Sequence, residues 1–220
     1  MKRANLRVET GAHVLRVLFE GKRATGVVYR QNGRDITVKA GREVILSGGA
    51  VNSPQLLMLS GVGPGDHLRQ HGLDVVHANA NVGQHLQDHL GSGYKFGVNL
   101  PTLNERLHSW PAKLLSGLQY LLTGRGPLSL SINHGGGFFR TSPDRPRPNM
   151  QLYYQAMSTL TGNHDGERPV LNPDPFPAMG LGLSACRPTS RGHLELRSGD
   201  PFDAPAIHPN SFGTEHDLTE

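Results

Sequence analysis

The sequence predicts an α/β segment followed by an α+β segment within 220 residues. The first is marked by an apolar run, Val44-Ile45-Leu46, that leads through Gly48-Gly49 into a helix-compatible stretch and then another strand, the order of an α/β unit. A three-strand meander precedes it. After Asp88 the texture changes to short strand-like pieces separated by long Pro, Gly and Asp connections, as expected of an antiparallel sheet with helices. We therefore place a domain boundary there, with residues 1–88 as one domain and 89–220 as the next. The 28 Gly and 16 Pro are about a fifth of the chain, against roughly 12% in average usage, so turns and loops must be extensive.

The elements follow in order. His13 to Phe19 reads as a strand, Gly21-Lys22-Arg23 as a turn and Gly26 to Arg30 as a second strand. Asn32-Gly33 is a strong hairpin signal, because a type I′ turn needs positive φ at both central residues. Asp35 to Lys39 completes the meander. Arg42 to Ser47 is expected as a strand buried on both faces of a parallel sheet. Asn52 or Ser53 would cap the next helix, with Pro54 in its first turn, Gln55 to Leu59 as its body and Ser60-Gly61 as its stop. A short helix from Asp66 to Gln70 closes at Gly72, and Asp74 to His77 returns as a strand. Ser109 caps a helix through Thr123 in which Leu114, Leu118, Leu121 and Leu122 share a face, ended by Gly124. Phe138-Phe139, Gln151 to Tyr154, Gly180 to Ala185 and His193 to Leu196 are the strands of the antiparallel sheet. The loop from Ser158 to Pro177 is longer than compact domains usually carry without a functional reason.

Composition excludes several functions. The net charge is +4, with arginines spread from Arg3 to Arg197, so no aligned cationic face for nucleic acid is expected. No apolar run approaches the roughly 18 residues of a membrane span, and the amino terminus lacks the apolar stretch of a signal peptide. The default compartment is cytoplasmic. The single Cys186 excludes an internal disulfide framework and reads as a buried thiol.

Twelve histidines invite a metal-binding module, through the pairs His67/His71 and His85/His89, each of which would share a helix face. Neither pair carries the glutamate of an H-E-x-x-H motif and no third ligand is evident, so no metal site is assigned. No G-x-S-x-G elbow supports serine catalysis. His134 and His164 remain as general-base candidates, weighed against a plain loop role.

The stretch Gly49-Ala50-Val51-Asn52-Ser53-Pro54-Gln55-Leu56-Leu57-Met58-Leu59-Ser60-Gly61-Val62-Gly63 resembles the second signature of the glucose–methanol–choline (GMC) family of flavin-dependent oxidoreductases. Val82-Gly83-Gln84-His85-Leu86-Gln87-Asp88-His89 is similar to the family's segment leaving the flavin domain, with His85 where Asn is usual. Glu9 to Phe19 resembles the strand entering its meander, and Ser190 to Leu196 with Pro205 to Asn210 resembles a late stretch of choline-dehydrogenase-like substrate domains.

The resemblance implies a partial FAD-binding Rossmann-like domain with a β-meander, then a partial substrate domain. FAD is the implied cofactor. Val14 would contact adenine, Gly48 and Gly49 would let the adenosine half approach, and the Asn81, Val82 and Asp88 stretch would wall the flavin. The implied partners are a small-molecule alcohol and an electron acceptor or oxygen. The implied reaction is oxidation of a primary alcohol to an aldehyde by hydride transfer to flavin. No G-x-G-x-x-G turn occurs here, so the family's fingerprint should lie before Met1 and its catalytic histidine after Glu220. The chain is thus expected to be an internal fragment without catalytic residues of its own, and the isolated chain to be inactive.

Overall fold

The computed structural model describes residues 3–131, 133–159 and 172–219. They divide into two compact units, residues 1–88 with 190–213, and residues 89–189 with 214–220.

The first unit opens with the meander. Strands β1 (His13–Glu20), β2 (Arg23–Gln31) and β3 (Arg34–Lys39) form an antiparallel sheet in the order β1-β2-β3. Asn32 and Gly33 hold φ of 51° and 74°, the positive values expected of the hairpin. Alternation buries Leu15 and Val17 on β1, while on β2 the consecutive Val28 and Tyr29, on opposite faces, are both buried.

Residues 42–47 depart from expectation. They form no strand, and Ile45 is 76% exposed. An apolar run becomes a doubly buried strand only with partners on both sides, and no ladder partner lies beside it among the described residues. The helix that follows, α1 (Gly49–Leu59), starts several residues earlier than the expected caps. Gly48 is the N-cap and Pro54 lies inside the helix, where its missing N–H leaves the Ala50 carbonyl without its helical donor. Ser53 acts differently from a cap, its hydroxyl accepting the Gly48 amide at 2.9 Å.

Parallel pairing comes instead from two short strands, β4 (Val62–Gly63) and β5 (His77–Ala78), joined through α2 (Gly65–Gln70). The return strand therefore sits at His77–Ala78 rather than at Asp74 to His77. Strands β6 (Gln84–Leu86), β11 (Gly192–Glu195) and β12 (Ala206–His208) make a third sheet, ordered β12-β11-β6. The core is Met58, Leu59, Leu68 and Leu196, with Leu73, Val75 and Val82 packed around it. Ser60 ties the meander to α1: its hydroxyl accepts the Val17 amide at 2.8 Å and donates to the Leu56 carbonyl at 2.5 Å.

A contiguous partition at residue 88 thus fails for residues 190–213, which pack in the first unit. The reason is pairing. The Leu194 amide donates to the Gly83 carbonyl at 2.6 Å, and Leu194 and Leu196 complete the first unit's interior.

The second unit contains the antiparallel sheet, β7 (Gly91–Gly97), β10 (Ala178–Ala185), β9 (Met150–Gln155) and β8 (Gly135–Phe139), in the order β7-β10-β9-β8. Helix α3 (Leu103–His108) was not expected from the sequence. Its signal was Thr102-Leu103-Asn104-Glu105, a capping box. Glu105 accepts the Thr102 amide at 2.7 Å, and backbone hydrogen bonds lower its pKa. Helix α4 (Trp110–Thr123) has the expected Ser109 cap and left-handed Gly124 stop. Its apolar face, however, is outward: Leu114, Leu118, Leu121 and Leu122 are all more than half exposed. Ser116 is the buried residue of this helix, donating to the Arg106 carbonyl at 3.2 Å. A last helix, α5 (Glu215–Thr219), is tied to the preceding chain through Asp217, whose carboxylate accepts the Thr189 amide at 2.7 Å.

A polar network replaces the apolar centre here. Asn104 is fully buried, and its amide group donates to Ser158 Oγ and to the carbonyls of Asp174 and Phe176. Buried Asp174 accepts from Ser158 Oγ at 2.5 Å and pairs with Lys95 at 2.6 Å. Burial pushes the Asp174 carboxyl up, but the Lys95 and Ser158 hydrogen bonds outweigh it and the net shift is downward. The long connection of 158–177 lies largely outside the described residues. Cys186 is free and only partly buried, not the fully buried thiol expected. Among the described residues, no helix is long and apolar enough to cross a membrane.

Candidate functional site

The first unit holds a cavity of about 690 Å³. One wall is the meander, contributing Val14, Val27 and Val38. The other is the Val44-Ile45-Leu46 run together with Gly48, Asn52, Ser53 and Leu56 of the α1 turn. Aliphatic side chains thus form the body, and Lys39, Glu43, Asn52 and Ser53 supply polar groups, the composition of a small-molecule site.

Local sequence explains this arrangement. Gly49 sits at φ 80°, a backbone state that a side chain would strain, and this lets the chain turn from the apolar run into α1. The first turn of α1 holds no acidic residue and no side chain caps its amides, so its partial positive charge remains available to an anion. Val14 on β1 is 37% exposed and stands beside a register shift in the ladder.

The structure gathers the expected cofactor residues unevenly. Val14 and Gly48 line the one cavity, and Gly49 is the adjoining residue. Asn81, Val82 and Asp88 are not among the lining residues. Asn81 instead lies in the turn before β6, its side-chain oxygen accepting from His85 Nε2 at 3.0 Å, and Val82 packs on the Met58 core. Asp88 ends the first stretch of the unit. Sequence reasoning missed Lys39, Glu43, Asn52 and Ser53 as cavity residues. The last two were assigned as caps, and the first two carried no motif.

The histidine candidates resolve separately. His67 and His71 meet edge to face at 4.6 Å, yet His67 Nε2 accepts the Leu196 amide at 3.0 Å. Its lone pair is therefore used, and burial, with the neighbouring His71, lowers its pKa. His85 lies in strand β6 at φ 63°, so the helical premise of the His85/His89 pair fails. His134 Nδ1 accepts the Ala156 amide at 3.1 Å, leaving Nε2 protonated and, among the described residues, buried without a partner. His164 lies outside the described residues.

Residues 1–91 match the family model described as GMC oxidoreductase. The mitochondrial choline dehydrogenase of Mus musculus is 40% identical over all of this chain, which covers 36% of that protein. The alcohol dehydrogenase [acceptor] of Pseudomonas putida is 39% identical over 98% of this chain and 38% of its own length. The chain therefore spans little more than a third of the curated relatives it matches. Among solved structures, a formate oxidase of Aspergillus oryzae RIB40 superposes with a TM-score of 0.82 at 24% identity, over 94% of this chain and 40% of that one. A pyridoxine 4-oxidase superposes with a TM-score of 0.73 over 99% of this chain and 37% of that one. These two likenesses show the fold, and the sequence matches show what the chain resembles, the GMC oxidoreductase model over residues 1–91 and choline and alcohol dehydrogenases along nearly its whole length.

Proposed function

We propose that residues 1–220 carry the adenosine side of a flavin pocket and part of the substrate domain of an FAD-dependent oxidoreductase acting on a primary alcohol, choline-like or similar. The observation that carries this reading is the cavity bounded by Val14, Gly48 and the uncapped start of α1. Its volume suits a nucleoside, its walls are aliphatic, and the α1 amides suit a phosphate.

Bound FAD would supply the acceptor for the hydride leaving the carbinol carbon. The chain's own residues would bind and orient. Val14 would pack on the adenine, Gly48 and Gly49 would admit the ribose, and the Asn81, Val82 and Asp88 stretch would contribute a second contact by family resemblance. The hydroxyl proton would pass to a base not contained in these residues, since neither His134 nor His164 falls in the family's catalytic motif. Residues 1–220 alone would thus bind without turning over alcohol.

Calorimetric titration of the purified 220-residue chain with ADP tests the pocket. Saturable binding that Val14→Glu abolishes is expected; ADP binding that survives Val14→Glu, or none in the parent chain, overturns the assignment. A stoichiometric flavin spectrum bleached by alcohol would instead overturn the claim that the catalytic groups lie elsewhere.

A further inference from the structure

The hairpin of β11 and β12 gathers three potential metal ligands that neither the flavin reading nor the expected histidine pairs use. His193 stands directly opposite His208 in the antiparallel ladder, so both side chains emerge on one face, and Glu195, two residues on, shares it. The opposite face holds Leu194, buried to 3% exposure, which fixes the histidine face as the outer one. The two imidazoles stack with centroids 4.6 Å apart, and Glu195 Oε1 lies 3.6 Å from His193 Nε2. One ligand atom from each of the three residues falls within 4.8 Å of the other two. Ala206, opposite Glu195 in the register, is small enough to let the carboxylate lean toward the rings.

The backbone holds this geometry. A Cβ on Gly192 would stand 2.0 Å from the His208 carbonyl oxygen and 2.6 Å from that of Pro209, so the close approach of β12 beside His193 requires glycine there. Strand pairing, not a mobile loop, sets the separation of the two histidines.

We propose that His193, His208 and Glu195 form a site for a divalent zinc-class cation, with the fourth position open to water. Two imidazoles and one carboxylate are a donor set for zinc or copper rather than for magnesium or calcium, which take oxygen ligands. Tetrahedral ligation at about 2.0–2.2 Å requires ligand atoms about 3.3 Å apart, a contraction that rotation of surface side chains supplies without moving the strands. The bound ion would clamp β12 onto β11. None of the three residues lines the candidate flavin cavity, so the site stands or falls independently of that reading.

Equilibrium dialysis of the chelator-stripped 220-residue chain against zinc chloride tests it. One equivalent bound at micromolar concentration is expected, with His193→Ala and His208→Ala each weakening affinity tenfold or more and His71→Ala leaving it unchanged. Absence of saturable binding below millimolar zinc, retention in His208→Ala, or loss in His71→Ala overturns it. Electron paramagnetic resonance of the parent chain with one equivalent of copper(II) reads the ligands without any substitution. Coupling to two imidazole nitrogens supports the site, and its absence overturns it.

Discussion

The two units solve the same packing problem with different materials. In the first, Leu15, Val17, Val28, Tyr29, Met58, Leu59, Leu68, Leu194 and Leu196 are buried, and the concavity lies beside that core. In the second, Leu107, Met157 and Ala178 are buried among the described residues, while Asn104, Ser158 and Asp174 hold the interior. Its sheet strands β7 and β8 are exposed along their lengths. Apolar burial is forgiving of small errors in geometry, whereas a buried polar network stabilises only when every member is satisfied. The first unit should therefore lose stability in proportion to volume removed, and the second should fail when one hydrogen-bond partner is lost.

The largest effect should follow Asp174→Ala. It removes the acceptor of both Ser158 and Lys95 and leaves the buried Ser158 hydroxyl without its acceptor, the Lys95 contribution being screened because that side chain is 37% exposed. Hydrogen exchange should show protection lost across β7, β9 and β10 while β1 and β2 keep theirs; uniform loss would mean that the units are not separable in this respect. The same carboxyl gives a pH signature. Its pKa is lowered in the fold, so its stabilisation is complete above the unfolded value of roughly 3.9 and is lost as pH falls through the lower folded value. Asp174→Asn should flatten that acid limb, read as the midpoint of denaturant unfolding at successive pH values.

Met58→Ala should have the next effect, confined to the other unit. Met58 is fully buried in the cluster with Leu59, Leu68 and Leu196, and truncation there should cost about 2–4 kcal/mol. Protection should fall in β1, α1 and β11 and persist in β9 and β10. Because Leu56 and Leu59 lie on the same helix and line the cavity, ADP binding should weaken with it.

The sequence was most readable where a local rule decides the outcome. Asn32-Gly33 made the hairpin, Ser109 and Gly124 bounded α4, and the period-2 pieces from Phe138 to Ala185 became sheet strands. Partner-dependent features were not readable. Val44 to Leu46 has the composition of a buried strand but no ladder to join among the described residues, and residues 190–213 belong to the first unit because of pairing across more than a hundred residues. The zinc-type cluster was hidden for the same reason. The alternation His193-Leu194-Glu195 puts two ligands on one face, but His208 joins them only through the register of β12.

The smallest effect should come from the feature that the sequence expresses most strongly. Leu121 repeats at helical spacing with Leu114 and Leu118, a pattern that in a core helix would make Leu→Ala cost about 2–5 kcal/mol. Yet Leu121 is 82% exposed and Leu118 51%, and Ser116, the buried residue of α4, donates to the Arg106 carbonyl of α3. Leu121→Ser should therefore change the unfolding free energy of the 220-residue chain by no more than about 0.5 kcal/mol. Ser116→Val, which removes the donor to the Arg106 carbonyl from a buried position, should cost more, about 1–3 kcal/mol. Denaturant unfolding of the two variants decides the matter: if Leu121→Ser proves the more damaging, the apolar face of α4 is packed in solution and the second unit has a hydrophobic centre after all.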